Sequence, residues 1–356
     1  MSSPTLPAHG SARVKGPPIL VTGGAGYIGS HVVLDLLDSG LQVVVLDNLV
    51  TGSLWVVDPR ADFVEGSVED DVLVRGLLRD HDIRGILHVA GSTVVAESIR
   101  DPLKYYRNNT AASRSLLESA LRERVRHFVF SSTAAVYRPS GLDPVSEDSL
   151  VQPATPYGSS KLMTEQMLAH LAQSYPFNYC TLRYFNVAGA DPQGRAGPSG
   201  VDPTQLIDVA VAVAIGKRSE VTVYGNDFAT PDGTGVRDYI HVSDLARAHV
   251  LALNELFARP SLSHVLNCGS GLGHSVLEVL DVVGQEAGRP IPHVFAPRRP
   301  GDLDQVVADN RSLKAQLAWQ QRYDLRATVK HALRWQAEKT SGNPGSERER
   351  RVKFGR

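Results

Sequence analysis

Ile19-Leu20-Val21-Thr22-Gly23-Gly24-Ala25-Gly26-Tyr27-Ile28-Gly29 is the stretch on which the fold turns. Its first four residues form an apolar run that reads as a short buried strand. The pattern Gly24-x-Gly26-x-x-Gly29 follows at once, and an apolar-periodic helix from about Ser30 to Ser39 stops at Gly40. Glycines in this context permit a tight turn and a close approach of backbone to pyrophosphate, and the helix N-terminus supplies oriented N–H donors and a positive dipole. A second strand, Gln42 to Leu46, ends on Asp47-Asn48. A carboxylate there accepts hydrogen bonds from a ribose 2′-OH and repels a 2′-phosphate, so NAD is expected over NADP.

Outward from this turn, strand-like runs recur at Asp62–Val64, Gly85–Val89, His127–Ser131 and Asn178–Tyr184. Helical stretches lie between several of them, notably Leu103–Arg124 and Ser159–Gln173. The alternation, with strands reading as continuous apolar runs, predicts an α/β fold: a doubly wound parallel sheet of Rossmann type, covered on both faces. After Asn186 come long Gly- and Pro-rich loops, helices at Leu206–Ile215, Ser243–Leu256 and Ser275–Ala287, and strands at Val221–Tyr224, Tyr239–Val242 and His264–Cys268. The expected organisation is a flexible lead (1–16), an NAD-binding domain (17–186), a smaller substrate-binding α/β lobe (187–339) with segments returning to the first sheet, and a flexible tail (340–356).

Bulk charge and composition narrow the class. A formal net charge of −1 argues against a nucleic-acid partner held by electrostatics. No apolar run is long enough to span a bilayer, and the first eighteen residues lack the apolar core of a secretory signal. The two cysteines, Cys180 and Cys268, sit inside apolar strands and read as core residues of a reducing compartment, so a cytoplasmic location is expected. The twelve histidines show no metal-ligand spacing, and no metal is expected.

Chemistry enters at Pro156-Tyr157-Gly158-Ser159-Ser160-Lys161. On a helix, Tyr157 and Lys161 project side by side. A phenol titrates near 10 when unperturbed, and a neighbouring ammonium is expected to lower that value and poise Tyr157 as a proton acceptor.

With these two motifs the chain resembles the extended short-chain dehydrogenase/reductase superfamily and, within it, the UDP-glucose 4-epimerases. The resemblance runs from about Ile19 to Trp335. It is carried further by Leu46-Asp47-Asn48-Leu49, Pro102-Leu103-Lys104-Tyr105-Tyr106-Arg107-Asn108-Asn109 and Leu182-Arg183-Tyr184-Phe185-Asn186. Thr230-Pro231-Asp232-Gly233-Thr234-Gly235-Val236-Arg237-Asp238-Tyr239-Ile240-His241-Val242 and Pro297-Arg298-Arg299-Pro300-Gly301-Asp302 are the more specific segments. The run Phe130 to Tyr137 is most similar to the branch serving bacterial exopolysaccharide synthesis.

The resemblance implies a catalytic set of Tyr157, Lys161 and Thr133. It implies cofactor contacts at Gly23, Gly26, Tyr27, Ile28, Gly29, Asp47, Asn48, Ser67, Val68, Val89, Ala90, Gly91, Asn108, Lys161 and Tyr184. It places a UDP-sugar against Thr133, Tyr157, Phe185, Asn186, Gln205, Leu206, Tyr224, Arg237, Arg299 and Asp302, and it implies a homodimer through the helices beginning near Leu103 and Ser159. Several positions depart from the family pattern: Thr93 stands for a frequent lysine, Ser67 for an aspartate, Arg138 for a glycine and Gln205 for an asparagine. Val306, smaller than its counterparts, implies room for a 2-acetamido sugar. Related UDP-sugar 4-epimerases, a sugar-nucleotide 4,6-dehydratase and a non-catalytic NAD-sensing protein stand as alternatives. Ala134-Ala135 speaks against the dehydratase, which needs an acidic pair after the threonine.

Overall fold

The computed structural model describes residues 16–138, 141–199, 204–299 and 301–340. The expected lead before Gly16 and tail after Thr340 lie outside the described residues.

Seven parallel strands make the central sheet: β1 (Pro18–Thr22), β2 (Gln42–Asp47), β3 (Asp62–Glu65), β4 (Gly85–His88), β5 (His127–Thr133), β6 (Asn178–Tyr184) and β10 (His264–Cys268). Their order is β10-β6-β5-β4-β1-β2-β3. Strand β1 pairs with both β2 and β4, so connections run out in opposite directions on its two sides. A crevice opens at the carboxyl ends of such neighbours, and here Gly23 and Val89 follow those ends.

Alternation along the strands feeds two cores. Ile19, Val21, Val43 and Val45 point to one face, where α1 (Tyr27–Asp38) and α8 (Val242–Ala258) cover them. Leu20, Val44, Leu46 and Ile86 point to the other, against α2 (Asp71–Asp80), α5 (Ala112–Arg122) and α6 (Pro156–Ser174). Each such buried aliphatic side chain contributes about 1.5–3 kcal/mol relative to exposure. Cys180 and Cys268 are buried free thiols on adjacent strands.

Two expected elements differ. The helix expected over Leu103–Arg124 follows α3 (Val95–Arg100) and is broken into α4 (Pro102–Tyr105), a π-helical turn (Tyr106–Ala111) and α5. Such widened turns gather at functional sites because they re-aim side chains. The strand expected over Tyr239–Val242 begins earlier, as β9 (Val236–His241), and Val242 opens α8 with the His241 side chain accepting from Ser243 N. Helix α2 was not anticipated, although Asp70 caps it and Val74, Leu77 and Leu78 are buried.

Beyond β6, strand β9 gathers β7 (Asn186–Ala188), β11 (Gly273–Ser275) and β13 (Gln305–Val306), while β8 (Val221–Tyr224) pairs with β12 (His293–Ala296). Helices α7 (Leu206–Ala214), α9 (Val276–Ala287) and α11 (Leu325–Thr340) surround a separate core of Ile207, Val211, Val223, Val279 and Val329. Helix α10 (Arg311–Leu317) returns to the first core through Leu313 and Leu317. Since β9 runs straight into α8, the second group of elements is tied to the central sheet at the level of the crevice.

Candidate active site

The glycine turn is shaped for close approach. Gly23 has φ +74°, and a Cβ there would lie 2.6 Å from Ala90 N; a Cβ on Gly29 would lie 2.0 Å from Gly23 O. Helix α1 starts at Gly26 with no side-chain cap, which leaves its first N–H groups for an anion at the positive end of the helix. Tyr27 turns its hydroxyl to Gly189 O at 2.6 Å, and Tyr27 and Ile28 pack against the first core. Asp47 ends β2 beside it, its carboxylate accepting from Ala25 N (3.0 Å) and Leu49 N (2.8 Å). Asn48 accepts from Val50 N and Ser67 from Glu69 N, with Val68 buried beneath. This is a cradle that a Cβ on Gly23 or Gly29 would fill, with an uncapped helix start and the Asp47 carboxylate beside it: it fits a dinucleotide.

The opposite wall is Val89, Ala90 and Gly91. Asn108 donates to Ser92 Oγ at 3.0 Å. Asn109, which the sequence reading passed over, does more: its Oδ1 accepts from Ser92 N (2.7 Å) and its Nδ2 donates to Ser92 O and Ser160 Oγ (3.0 Å each). The π-helical turn thus presents both asparagines to the loop after β4. Buried His88 supports it, meeting Thr22 Oγ1 and Ser113 Oγ, and its burial holds its pKa down at about 3.

Tyr157 and Lys161 lie on α6, whose start is fixed by Thr155 capping Gly158 N and by Pro156 in the first turn. A Cβ on Gly158 would lie 2.3 Å from Ala135 O, so the helix start presses against the backbone just after Thr133. Tyr157 is partly buried and packs edge-on against Tyr105. The expected lowering of its pKa by Lys161 is not what the structure shows. Burial raises the phenol, and the hydroxyl of Thr133 offsets part of that. The reason is geometric: Lys161 Nζ is turned to Ser131 O at 2.8 Å and lies over the Phe130 ring. Burial in turn lowers Lys161 to about 8, against an upward pull from Glu165.

The Tyr184 hydroxyl bonds Ser131 Oγ and, at 2.7 Å, His249 Nε2, so it braces Ser131 from within the core.

Arg237, Arg299, Asp302 and Tyr224 gather in the second group of elements. Arg237 lies 3.8 Å from Asp302, close enough to Arg299 for the two guanidiniums to repel, and Arg299 stacks over the Tyr224 ring. Exposed Asn186 opens β7, which runs parallel to β9. Gln205 is exposed at the start of α7 and Leu206 packs on the separate core that α7 shares with α9 and α11. Phe185 joins Ala134, Val136, Tyr137 and Val306 in a small apolar cluster, and Val306 is the register partner of Arg237.

Comparison with known proteins agrees with this arrangement. The model of the "NAD dependent epimerase/dehydratase family" matches residues 19–269. The chain belongs to that family. A UDP-glucose 4-epimerase of Azospirillum brasilense is 46% identical over 333 residues, covering 93% of this chain and 95% of the relative. The crystal structure of UDP-glucose-4-epimerase from Stenotrophomonas maltophila, with bound NAD and formylated UDP-arabinopyranose, superposes with a TM-score of 0.89 at 38% identity, covering 92% of this chain and 99% of that one. The enzyme from Bifidobacterium longum, in complex with NAD+ and UDP, gives 0.86 at 36% identity, covering 91% and 99%.

Proposed function

We propose that this chain is an NAD-dependent UDP-glucose 4-epimerase that interconverts UDP-glucose and UDP-galactose through a 4-keto sugar. The observation that carries the reading is the convergence of Tyr157, Thr133 and Lys161 at the crevice of a dinucleotide cradle, with the Arg237–Arg299 pair at its outer end. Bound NAD supplies a hydride acceptor and donor at the sugar C4. Tyr157 takes the proton of the sugar 4-OH and gives it back to the new 4-oxygen, with Thr133 hydrogen-bonding that oxygen. Lys161 keeps two of its three N–H donors free of Ser131 O, available for the nicotinamide ribose. Arg237 and Arg299 hold the diphosphate as forked donors, Asp302 orients the uridine ribose, and Leu206 and Tyr224 pack the uracil. Ala134 and Ala135 offer no group for elimination, so oxidation at C4 is followed by return of the hydride.

Val306 supports a second, broader reading, in which UDP-N-acetylglucosamine is also epimerised: it stands opposite Arg237 and is small. The exposed apolar side chains of Ile99, Leu103 and Met163, on α3, α4 and α6, support a homodimer formed through that face. Buried free cysteines fit a reducing cytoplasm, and among the described residues no helix is long and apolar enough to cross a membrane. Service to galactose metabolism or polysaccharide synthesis follows from the product, an activated galactose. Incubation of purified protein with UDP-galactose and no added NAD tests the reading: UDP-glucose forms if it is right, and absence of turnover or a stable 4-keto product refutes it.

A further inference from the structure

Tyr157, Lys161 and Glu165 recur at four-residue intervals along one face of α6. The first two reach the crevice, and the third reaches into the sheet beneath it. Glu165 Oε1 accepts from Ser132 Oγ at 2.5 Å and from Arg183 Nε at 3.1 Å, while Oε2 accepts from Arg183 Nη2 at 2.5 Å. Arg183 Nη1 donates to the Tyr137 hydroxyl (2.8 Å), which donates to Asn267 Oδ1 (2.7 Å). Both ionic side chains are buried, 7% exposed for Arg183 and 6% for Glu165.

Ser132 lies between the two residues that serve the site. Its predecessor, Ser131, gives its carbonyl to Lys161, and its successor, Thr133, stands at Tyr157. We propose that Glu165 is the positioning residue of the Tyr157–Lys161 pair: it clamps Ser132, and with it the end of β5, onto α6, so that the Ser131 carbonyl and the Thr133 hydroxyl are held where the pair needs them. This rests on the epimerase reading above. Burying a charge pair is a poor route to stability, since desolvation offsets most of the attraction. What the Glu165–Arg183 pair does provide is a fixed, directional joint among α6, β5 and β6 at the level of the reacting atoms.

Glu165 also acts through its charge. Lys161 is faced by Tyr157 and Glu165 on its own helix, the Phe130 ring and Ser131 carbonyl on β5, His88 on β4 and Asn109 on the π-helical turn. His88 is neutral because burial disfavours its charged form. Glu165 is the charge that supports the Lys161 ammonium against burial.

The test uses the full-length, cofactor-loaded protein and three variants. Glu165→Gln keeps an acceptor for Ser132 but removes the charge. Glu165→Gln/Arg183→Met removes both charges, so that neither is left alone in the core. Ser132→Ala removes only the clamped hydroxyl. Expected for both charge variants are a kcat on UDP-galactose lower by about tenfold and a KM within about threefold of wild type; for Glu165→Gln, which leaves the Arg183 charge unopposed, the alkaline limb of the pH–kcat profile is also expected to move down by roughly one unit. A folded, NAD-loaded double variant with wild-type kcat overturns the proposal. If neither charge variant folds, Ser132→Ala decides: reduced kcat with unchanged UDP affinity supports it, and wild-type kcat overturns it. Failure of the wild-type protein to turn over UDP-galactose is a different result, one that refutes the epimerase reading itself.

Discussion

Lys161 Nζ donates to the carbonyl oxygen of Ser131 at 2.8 Å and does not meet Tyr157, its partner four residues earlier on the same helix. The lysine is therefore held by the strand end, and the tyrosine by Thr133 and by its place in the first turn of α6. That turn is the positive end of a nineteen-residue helix, which favours a phenolate. The division of labour makes the roles of the two residues separable by mutation.

Replacing Tyr157 with Phe removes the proton acceptor and little else, because the ring and its packing on Tyr105 remain. Turnover is expected to fall by about 10²- to 10⁴-fold, the usual worth of a positioned acid–base group. UDP affinity, measured by calorimetry, is expected to stay within about threefold. Near-normal turnover would remove Tyr157 from its role.

Gly158→Ala probes position. The added Cβ would meet Ala135 O at 2.3 Å, so the start of α6 must shift away from β5. A displacement near 1 Å at reacting groups costs about 10²-fold in rate. A loss of that order in kcat, with NAD content unchanged on release and quantification, is expected. An unaffected kcat would show that the contact between helix and strand end does not set the geometry.

Acid stability follows from buried histidines. Burial lowers His31 and His249 to about 4 and His88 and His241 to about 3. The unfolded chain, with histidines near 6.5, therefore binds more protons below that pH, and their contribution to stability is lost as pH falls from about 6.5 towards 4. Asp208 and Asp244, raised to about 6 by burial, act in the opposite sense over part of that range. Asp35 and Asp238 are raised by burial as well, and His127 and His331 lowered by it, and the six histidines outweigh the four carboxyls. A Tm lower at pH 5 than at pH 7.5 is expected, and a flat Tm across that interval would contradict the buried neutral state.

The proposed room for a 2-acetamido sugar at Val306 is open to a direct test. Val306→Tyr is expected to leave UDP-galactose turnover within about fivefold while cutting UDP-N-acetylglucosamine turnover by about 10²-fold or more, since overpacking against a closed wall costs about 1–3 kcal/mol. Equal losses on both substrates, read by chromatography of the sugar nucleotides, would place the wall elsewhere.

The central sheet was legible because its signals are local. Short apolar runs mark β1, β2, β4, β5 and β6, and the glycine turn with Asp47 marks the crevice. What was not legible depends on contacts distant in the chain. Asn109 acts through Ser92 and Ser160, and Glu165 through Ser132 and Arg183, partners that no spacing rule connects. Strands β11 and β13 have three and two residues, too few to carry a periodicity, and are placed by pairing with β9. The expected lowering of Tyr157 by Lys161 rests on helix spacing and, through the resemblance, on the positive charge of the cofactor. Helix geometry aligns the two Cβ atoms but does not determine where a four-carbon side chain ends.

The central claim is that Tyr157 serves a redox step whose hydride returns to the same carbon. UDP-galactose carrying deuterium at C4 tests it most directly. Incubated in ordinary water with the protein as purified, the UDP-glucose formed is predicted to keep the deuterium at C4, as read by mass spectrometry and NMR. Loss of the label to solvent would contradict the account, since C4 would then have exchanged as a proton.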